Sequence, residues 1–277
     1  MDRLVPGLIP VFEDQTLPYA LYAVQAALRR TVSGAYVLPG TFSRKVFNAA
    51  LRWAPLVPGP IARGFLRKHR PYQVQGEEAN ADSQGISWKK WRVLDIPENL
   101  AGKSLLDVGC AEGLFCLESA RRGASRVVGI DARFTALLSG TFQAKQERLA
   151  VAFRIGVFPQ LGLRDRFDYV LCLSVLHHLV SSKDIWKVLN DQAYADDLEK
   201  LRESLAMLRT LTAPGGRCVV EIPFEYEDEE SRRAVNFDRF NQELVKAGFS
   251  SSRYLGTWEH AARNQSRKDR PIYSAQG

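Results

Sequence analysis

Two acidic residues and the small residues between them carry the first chemical signal in this chain. Asp107 is followed by Val108 and then Gly109-Cys110-Ala111-Glu112-Gly113. Asp131 comes about 20 residues after that turn, the spacing at which an acid meets a ribose. A glycine-rich turn lets a ligand come close to the backbone and meet the free N–H groups of a helix start. An acid ahead of such a turn can hold an ammonium or a hydroxyl. An acid at the tip of the next strand can bind both hydroxyls of a ribose. Together these residues point to an adenosine-containing ligand.

The elements that must position them are legible on either side. Leu105 to Val108 reads as a short buried strand, Gly109 to Gly113 as a tight turn, and Leu114 to Arg122 as a helix with apolar positions at helical spacing. Arg126 to Ile130 reads as a second buried strand that ends at Asp131. The turn does not have the glycine spacing of a dinucleotide site, and the chain has no phosphate-gripping P-loop motif.

DVGCAEG followed by Asp131 resembles the first two motifs of the class I S-adenosylmethionine-dependent methyltransferases. The resemblance implies an α/β, Rossmann-like domain with a central, mostly parallel sheet. It also implies S-adenosyl-L-methionine as cofactor, its methionine portion in the glycine turn and its ribose on the acid. The cofactor-binding residues implied are Asp107, Gly109, Cys110, Ala111, Gly113, Asp131, Ala132, Phe158 and Leu173. Ala111 stands where the family usually has a middle glycine.

The downstream chain extends the resemblance. A helix is expected over about 134–149 and a third strand over 151–156. Gly156-Val157-Phe158 falls where the family lines the adenine; Phe158 can stack on the ring or pack in the core. FDYVLCLSVLHHL resembles the family's fourth-strand motif, in which Asp168 is structural and the strand's end meets the methionine group. His177 or His178 is a candidate general base, with an imidazole pKa near working pH, or else caps the next helix. An amphipathic helix over 196–211, a Pro214-Gly215-Gly216 turn and a fifth strand over 217–222 follow. EYEDEE over 225–230 reads as a solvated loop. A helix over 235–247 and closing strands over 253–257 and 271–274 complete the chain, with a basic loop between the strands holding Arg263, Arg267, Lys268 and Arg270.

SLLDVGCAEGLFCLESARRGASRVVGID, FRIGV, LCLSVLHHLV and the tail through RPIY also resemble the methyltransferase domain of O-antigen chain-terminating methyltransferase–kinases. The tail resembles the RNA methylphosphate capping enzymes. The core resembles the tRNA wobble-uridine carboxymethyltransferase. The first two groups imply a phosphate acceptor and the third a hydroxyl.

Composition sets the outer bounds. With 277 residues and 45% hydrophobic residues, the chain can bury one large α/β core with an appended segment. The expected division is a basic helical extension over 1–80 and a methyltransferase domain over 81–277, separated by the polar stretch 75–85. The net charge is +7, and residues 1–76 carry ten Lys/Arg against three Asp/Glu, with no acid from Gln15 to Gly76. Such local basicity suits an anionic partner. Helices expected at 17–31, at 43–54 and after Pro60 can lie on an anionic membrane through residues 17–70, cap the substrate site, or cover the core. Trp88 and Trp91 read as a ligand clamp or a linker anchor, with Lys89 or Lys90 facing an anion.

Cys110, Cys116, Cys172 and Cys218 read as buried thiols of a reducing cytosol, and no signal or membrane-spanning stretch is read. His69, His177, His178 and His260 form no metal-ligand pattern. The reading is thus a cytoplasmic enzyme, at most peripheral on the inner membrane face. It methylates an oxygen of an anionic acceptor, a phosphorylated or lipid-linked glycan, with RNA as the alternative acceptor. A non-catalytic binding module is the third reading. The oligomeric state is not encoded in any motif found.

Overall fold

The computed structural model describes residues 48–52, 54–56, 60, 90–182, 184–226, 236–261 and 267–277. The helices expected at 17–31 and after Pro60, the 75–85 linker, Trp88, Lys89, His69 and most of the acidic run after Tyr226 lie outside them.

The elements run β1 (Ser104–Val108), α1 (Leu114–Arg121), β2 (Arg126–Asp131), α2 (Phe134–Gln146), β3 (Val151–Ile155) and β4 (Phe167–Leu173). They continue with α3 (Ile185–Asn190), α4 (Ala195–Leu211), β5 (Thr212–Glu221), β6 (Phe224–Tyr226), α5 (Asp238–Lys246), β7 (Ser251–Ala261) and β8 (Arg267–Gln276). The sheet order is β3-β2-β1-β4-β5-β8, and both β6 and β7 also pair with β8. The first five strands are parallel; β8 is antiparallel to β5 and β7.

Strands of a parallel sheet are covered on both faces, so they read as continuous apolar runs. Leu106 and Val108 of β1 join Val170 and Cys172 of β4 under Leu201, Leu205 and Leu208 of α4. Leu105 and Leu171 face the other way, toward Leu117 of α1 and Leu137 and Leu138 of α2. Full burial of such a leucine contributes about 1.5–3 kcal/mol. The strand order places the switch point between β1 and β4, where chain direction across the sheet reverses. Ligands of open α/β sheets bind in that crevice, at the carboxyl ends of the strands.

Two expectations are corrected. The closing hairpin is longer than read, Ser251–Ala261 with Arg267–Gln276, so Arg270 lies in a strand opposite Trp258 and not in a loop. Pro214-Gly215-Gly216 does not precede β5; it bulges inside it, between the pairs Phe167–Thr212 and Tyr169–Arg217. The chain end holds that bulge, since Gly215 N–H donates to the Gly277 carbonyl at 3.1 Å. The helix expected over 43–54 is described only from residue 48. Its Ala50 and Leu51, with Ala54 beyond it, are buried in the α1–α2 core layer, and the Asn48 side chain accepts the N–H of Ile155 on the edge strand. For this stretch, packing on the domain is what the structure shows.

Among the described residues no helix is long and apolar enough to cross a membrane.

Candidate active site

The glycine turn joins β1 to α1 at the switch point. Gly109 and Cys110 N–H both donate to the Ile130 carbonyl, at 2.7 and 3.0 Å, tying the turn to the end of β2. Gly109 and Gly113 have φ of 76° and 82°. A Cβ at Gly113 would lie 2.5 Å from the Phe153 ring, so only glycine fits there. Ala111 also takes a left-handed φ of 50°, which costs an L-residue about 1–2 kcal/mol.

Asp131 holds that strained turn in place. Its Oδ2 accepts the Ala111 N–H at 2.9 Å, and its Oδ1 accepts the Arg133 N–H at 2.8 Å. The Arg133 guanidinium lies 3.4 Å from Oδ1. Each carboxylate oxygen accepts about two hydrogen bonds, so each keeps capacity for a hydroxyl. Ala132, half-buried, follows immediately.

Asp107 is the penultimate residue of its strand, as read, but it is covered. It lies inside β1, 2% exposed, on the face covered by α1, where the Cys116 thiol donates to its Oδ2 at 3.8 Å. Burial, and then the nearby Asp131 charge, push its carboxyl up to about 7, while the Cys116 thiol partly opposes them. Cys110, Cys116, Cys172 and Cys218 are all buried free thiols, as expected.

The wall opposite the turn is the segment after β4. Leu173 ends β4, half-buried. Ser174 has a left-handed φ of 57°. A Cβ at Gly109 would lie 2.3 Å from Val175 Cγ2, so this segment and the glycine turn touch. The Leu176–His178 turn follows, with His177 half-buried, His178 exposed and their rings 3.9 Å apart. The two histidines follow Val175 by two and three residues. Phe158 is 6% exposed and packs in the core layer beneath β1 and β2. The structure gives it a packing role, not an open face for stacking.

An ionic cluster adjoins this wall, and the sequence reading had only its two cations. Glu221, the last residue of β5, is wholly buried. Its Oε2 accepts from Lys90 Nζ at 2.6 Å; its Oε1 accepts from Arg270 Nη1 at 2.9 Å and from the Ser174 hydroxyl at 2.7 Å. Arg270 Nη1 also donates to the Ser174 hydroxyl. Burial pushes the Glu221 carboxyl up, but Lys90 and Arg270 outweigh it and hold the group below the usual glutamate range. Burial pulls the Lys90 ammonium down, with Glu221 opposing. Trp91, the residue after Lys90, is a core anchor, 4% exposed, stacked near Phe115 with Arg122 over its ring. The missed signal was the acid in the apolar run RCVVEI, since a carboxylate inside a buried strand must be paired.

Asp168 sits at the opposite end of the sheet, accepting the Ser104 N–H and hydroxyl, a structural role as expected. Among the described residues no group of three or more His, Cys, Asp and Glu is placed to hold a metal. A cavity of about 510 Å³ opens along β3 between Arg52, Arg154 and Leu161, and no residue of the glycine turn lines it.

Residues 105–194 match the family described as a methyltransferase domain. This stretch, from β1 to the turn before α4, is similar to the class I S-adenosylmethionine-dependent methyltransferases. The chain is 29% identical over 121 residues to the ubiquinone biosynthesis O-methyltransferase of Rhodopseudomonas palustris, covering 44% of this chain and 40% of that one. It is 33% identical over 178 residues to the tRNA U34 carboxymethyltransferase of Klebsiella pneumoniae, covering 62% of this chain and 46% of that one. The match therefore spans less than half the length of either curated relative. Among solved structures the cyclase SpnF superposes with a TM-score of 0.50 at 15% identity, covering 81% of this chain and 93% of that one, a likeness of fold. S-adenosylmethionine is the cofactor of this methyltransferase family. The residues here fit it: a turn with glycine at both ends at the switch point, and a carboxylate whose two oxygens both have room for a further donor.

Proposed function

We propose that this chain transfers a methyl group from S-adenosylmethionine to an oxygen of an anionic acceptor, a phosphate or sugar hydroxyl of a glycan or lipid-linked glycan. The observation that carries the reading is the bond from Ala111 N–H to Asp131 Oδ2 at the switch point, which sets turn and acid to grip one adenosine ligand. When bound, S-adenosylmethionine supplies an electrophilic methyl group on its sulfonium. The protein's task is to orient the acceptor oxygen in line and exclude water. Val175 packed against Gly109 closes one side of that space, and the half-buried Leu173 bounds it.

Asp107 gives the reading a pH signature. An ammonium bound nearby favours the ionised carboxylate, whose own value is about 7. Affinity for S-adenosylhomocysteine should therefore rise about tenfold between pH 6 and pH 8 as the carboxylate ionises, with a proton released on binding. Because the folded value lies above the unfolded one, the free protein should lose stability as pH rises from the ordinary carboxyl range to about 7, and no further above it. Calorimetry in buffers of different ionisation heat reads the proton. A pH-flat affinity, unchanged in Asp107→Asn, would remove Asp107 from the ligand site.

The acceptor is tested by incubating the protein with labelled methyl donor and phosphorylated glycans, neutral glycans or RNA. A phosphate oxygen is ionised at neutral pH and needs no base; a sugar hydroxyl gains about 10²–10⁴-fold from one. His177→Asn and His178→Asn should leave methylation of a phosphate acceptor within about threefold, and should lower a hydroxyl acceptor's rate within that larger range. RNA is the second reading, favoured by the tRNA-modifying relative and the basic N-terminal segment. Methylation of RNA with steep salt dependence would select it; no methylation of any of the three classes would defeat the enzymatic reading.

A further inference from the structure

The cluster of Lys90, Glu221, Arg270 and Ser174 has a charge imbalance that the fold alone does not need. Two cations face one carboxylate, leaving one net positive charge among side chains of which 10% (Lys90), 16% (Arg270) and 0% (Glu221) is exposed. An unbalanced buried charge is costly unless paired. The donor count is unbalanced as well. Glu221 takes one of the three hydrogens Lys90 offers, and among the described residues the buried Nε of Arg270 has no hydrogen-bond partner. A buried donor left unmade is a rare feature that asks for an absent partner.

The location is informative too. Ser174 is held by Glu221 and Arg270, and its neighbour Val175 packs on Gly109 of the cofactor turn. Four separate stretches of chain meet here: the segment before β1, the residue after β4, the end of β5 and the middle of β8. Arginine and lysine with free donors are the groups that grip an oxyanion, arginine through paired N–H donors.

We propose that Lys90 and Arg270 seat an oxyanion of the acceptor, a phosphate or carboxylate group, with Glu221 and Ser174 holding the two cations in position beside the cofactor turn. This rests on the methyl-transfer reading and adds where the acceptor's charge is held. Glu221 acts as a positioning residue. It fixes one Nη of Arg270 and so leaves the Nε edge to the ligand.

The test uses the full chain saturated with S-adenosylhomocysteine, titrated with inorganic phosphate and separately with acetate. In ¹H–¹⁵N spectra the Arg270 Nε–H signal of the unaltered protein should shift on titration with one or both anions; the tighter one identifies the oxyanion class. Arg270→Lys keeps the charge and loses the Nε–H, and should weaken that anion at least about tenfold, as expected for a lost charge-assisted bond. Affinity for S-adenosylhomocysteine should stay within about twofold. Lys90→Gln should weaken the anion similarly. If neither anion moves the Nε–H signal, or if Arg270→Lys lowers melting temperature while anion affinity is unchanged, the cluster is a structural brace and the proposal is wrong. Loss of S-adenosylhomocysteine binding by the unaltered protein would instead defeat the methyl-transfer reading, so the two failures are separable.

Discussion

Asp131→Ala is expected to weaken S-adenosylmethionine binding at least about a hundredfold, since it removes two charged hydrogen bonds at about 1.5–3 kcal/mol each. The less obvious expectation concerns Asp131→Asn. Both carboxylate oxygens already accept a backbone N–H, Oδ2 from Ala111 and Oδ1 from Arg133. An amide has only one oxygen, so its NH₂ would face one of those donors. The turn would then lose an anchor just where Ala111 holds a φ of 50°. Asparagine should therefore behave nearly like alanine at this site. Calorimetric titration of the three proteins decides it, with thermal melts to separate loss of binding from loss of fold. Unchanged affinity in Asp131→Ala would place the cofactor elsewhere.

What could be read in the residues divides along the distance over which the deciding interaction acts. The strand, turn and helix from Ser104 to Arg121 are local, and apolar runs with glycines at fixed positions suffice to announce them. The position of Asp131 at the tip of the second strand was legible for the same reason: that strand must return beside the first. That the middle position of the turn is left-handed, and that Asp131 itself clamps it, was not. Asp107 shows a finer limit. It was read as the acid ahead of the turn, free to hold an ammonium or hydroxyl, but the overlying α1 buries it against Cys116. Phe158 likewise had two readings, and packing beneath β1 and β2 selects one.

Long-range pairing was the hardest to see. Lys90 and Glu221 are 131 residues apart, and Arg270 and Glu221 are 49 apart. Each cation was noticeable alone as a basic residue near an aromatic or in a tail. Nothing local joins them. Only the sheet order, which inserts β8 beside β5, brings the tail back to the end of the parallel strands. Trp91, next to Lys90 in the chain, is buried in the α1–α2 layer. The same topology explains why the tail residues could be read as a loop: β8 is an antiparallel insertion that a pattern of parallel βα units does not foretell.

Glu221→Gln should be the most damaging single change outside the glycine turn, with about 3–5 kcal/mol lost in urea unfolding at pH 7, the cost of breaking a buried ion pair from one side. It leaves Lys90 and Arg270 buried as like charges, and their repulsion already contributes to lowering the Lys90 ammonium. Glu221 is held below its ordinary value, so its contribution is present above the unfolded carboxyl value and fades as pH falls below it. The gap between the two proteins should therefore narrow in acid. Removing one cation with the acid, as in Lys90→Met with Glu221→Gln, should return part of the loss because a single cation then remains. A loss below about 1 kcal/mol in Glu221→Gln would mean that water or a relaxed geometry solvates the cations, and the buried-cluster argument would fail. If an oxyanion does seat on these cations, phosphate should stabilise Glu221→Gln more than the unaltered protein, since a bound anion now supplies the missing negative charge. That added stability should grow with the logarithm of phosphate concentration, as ligand linkage requires.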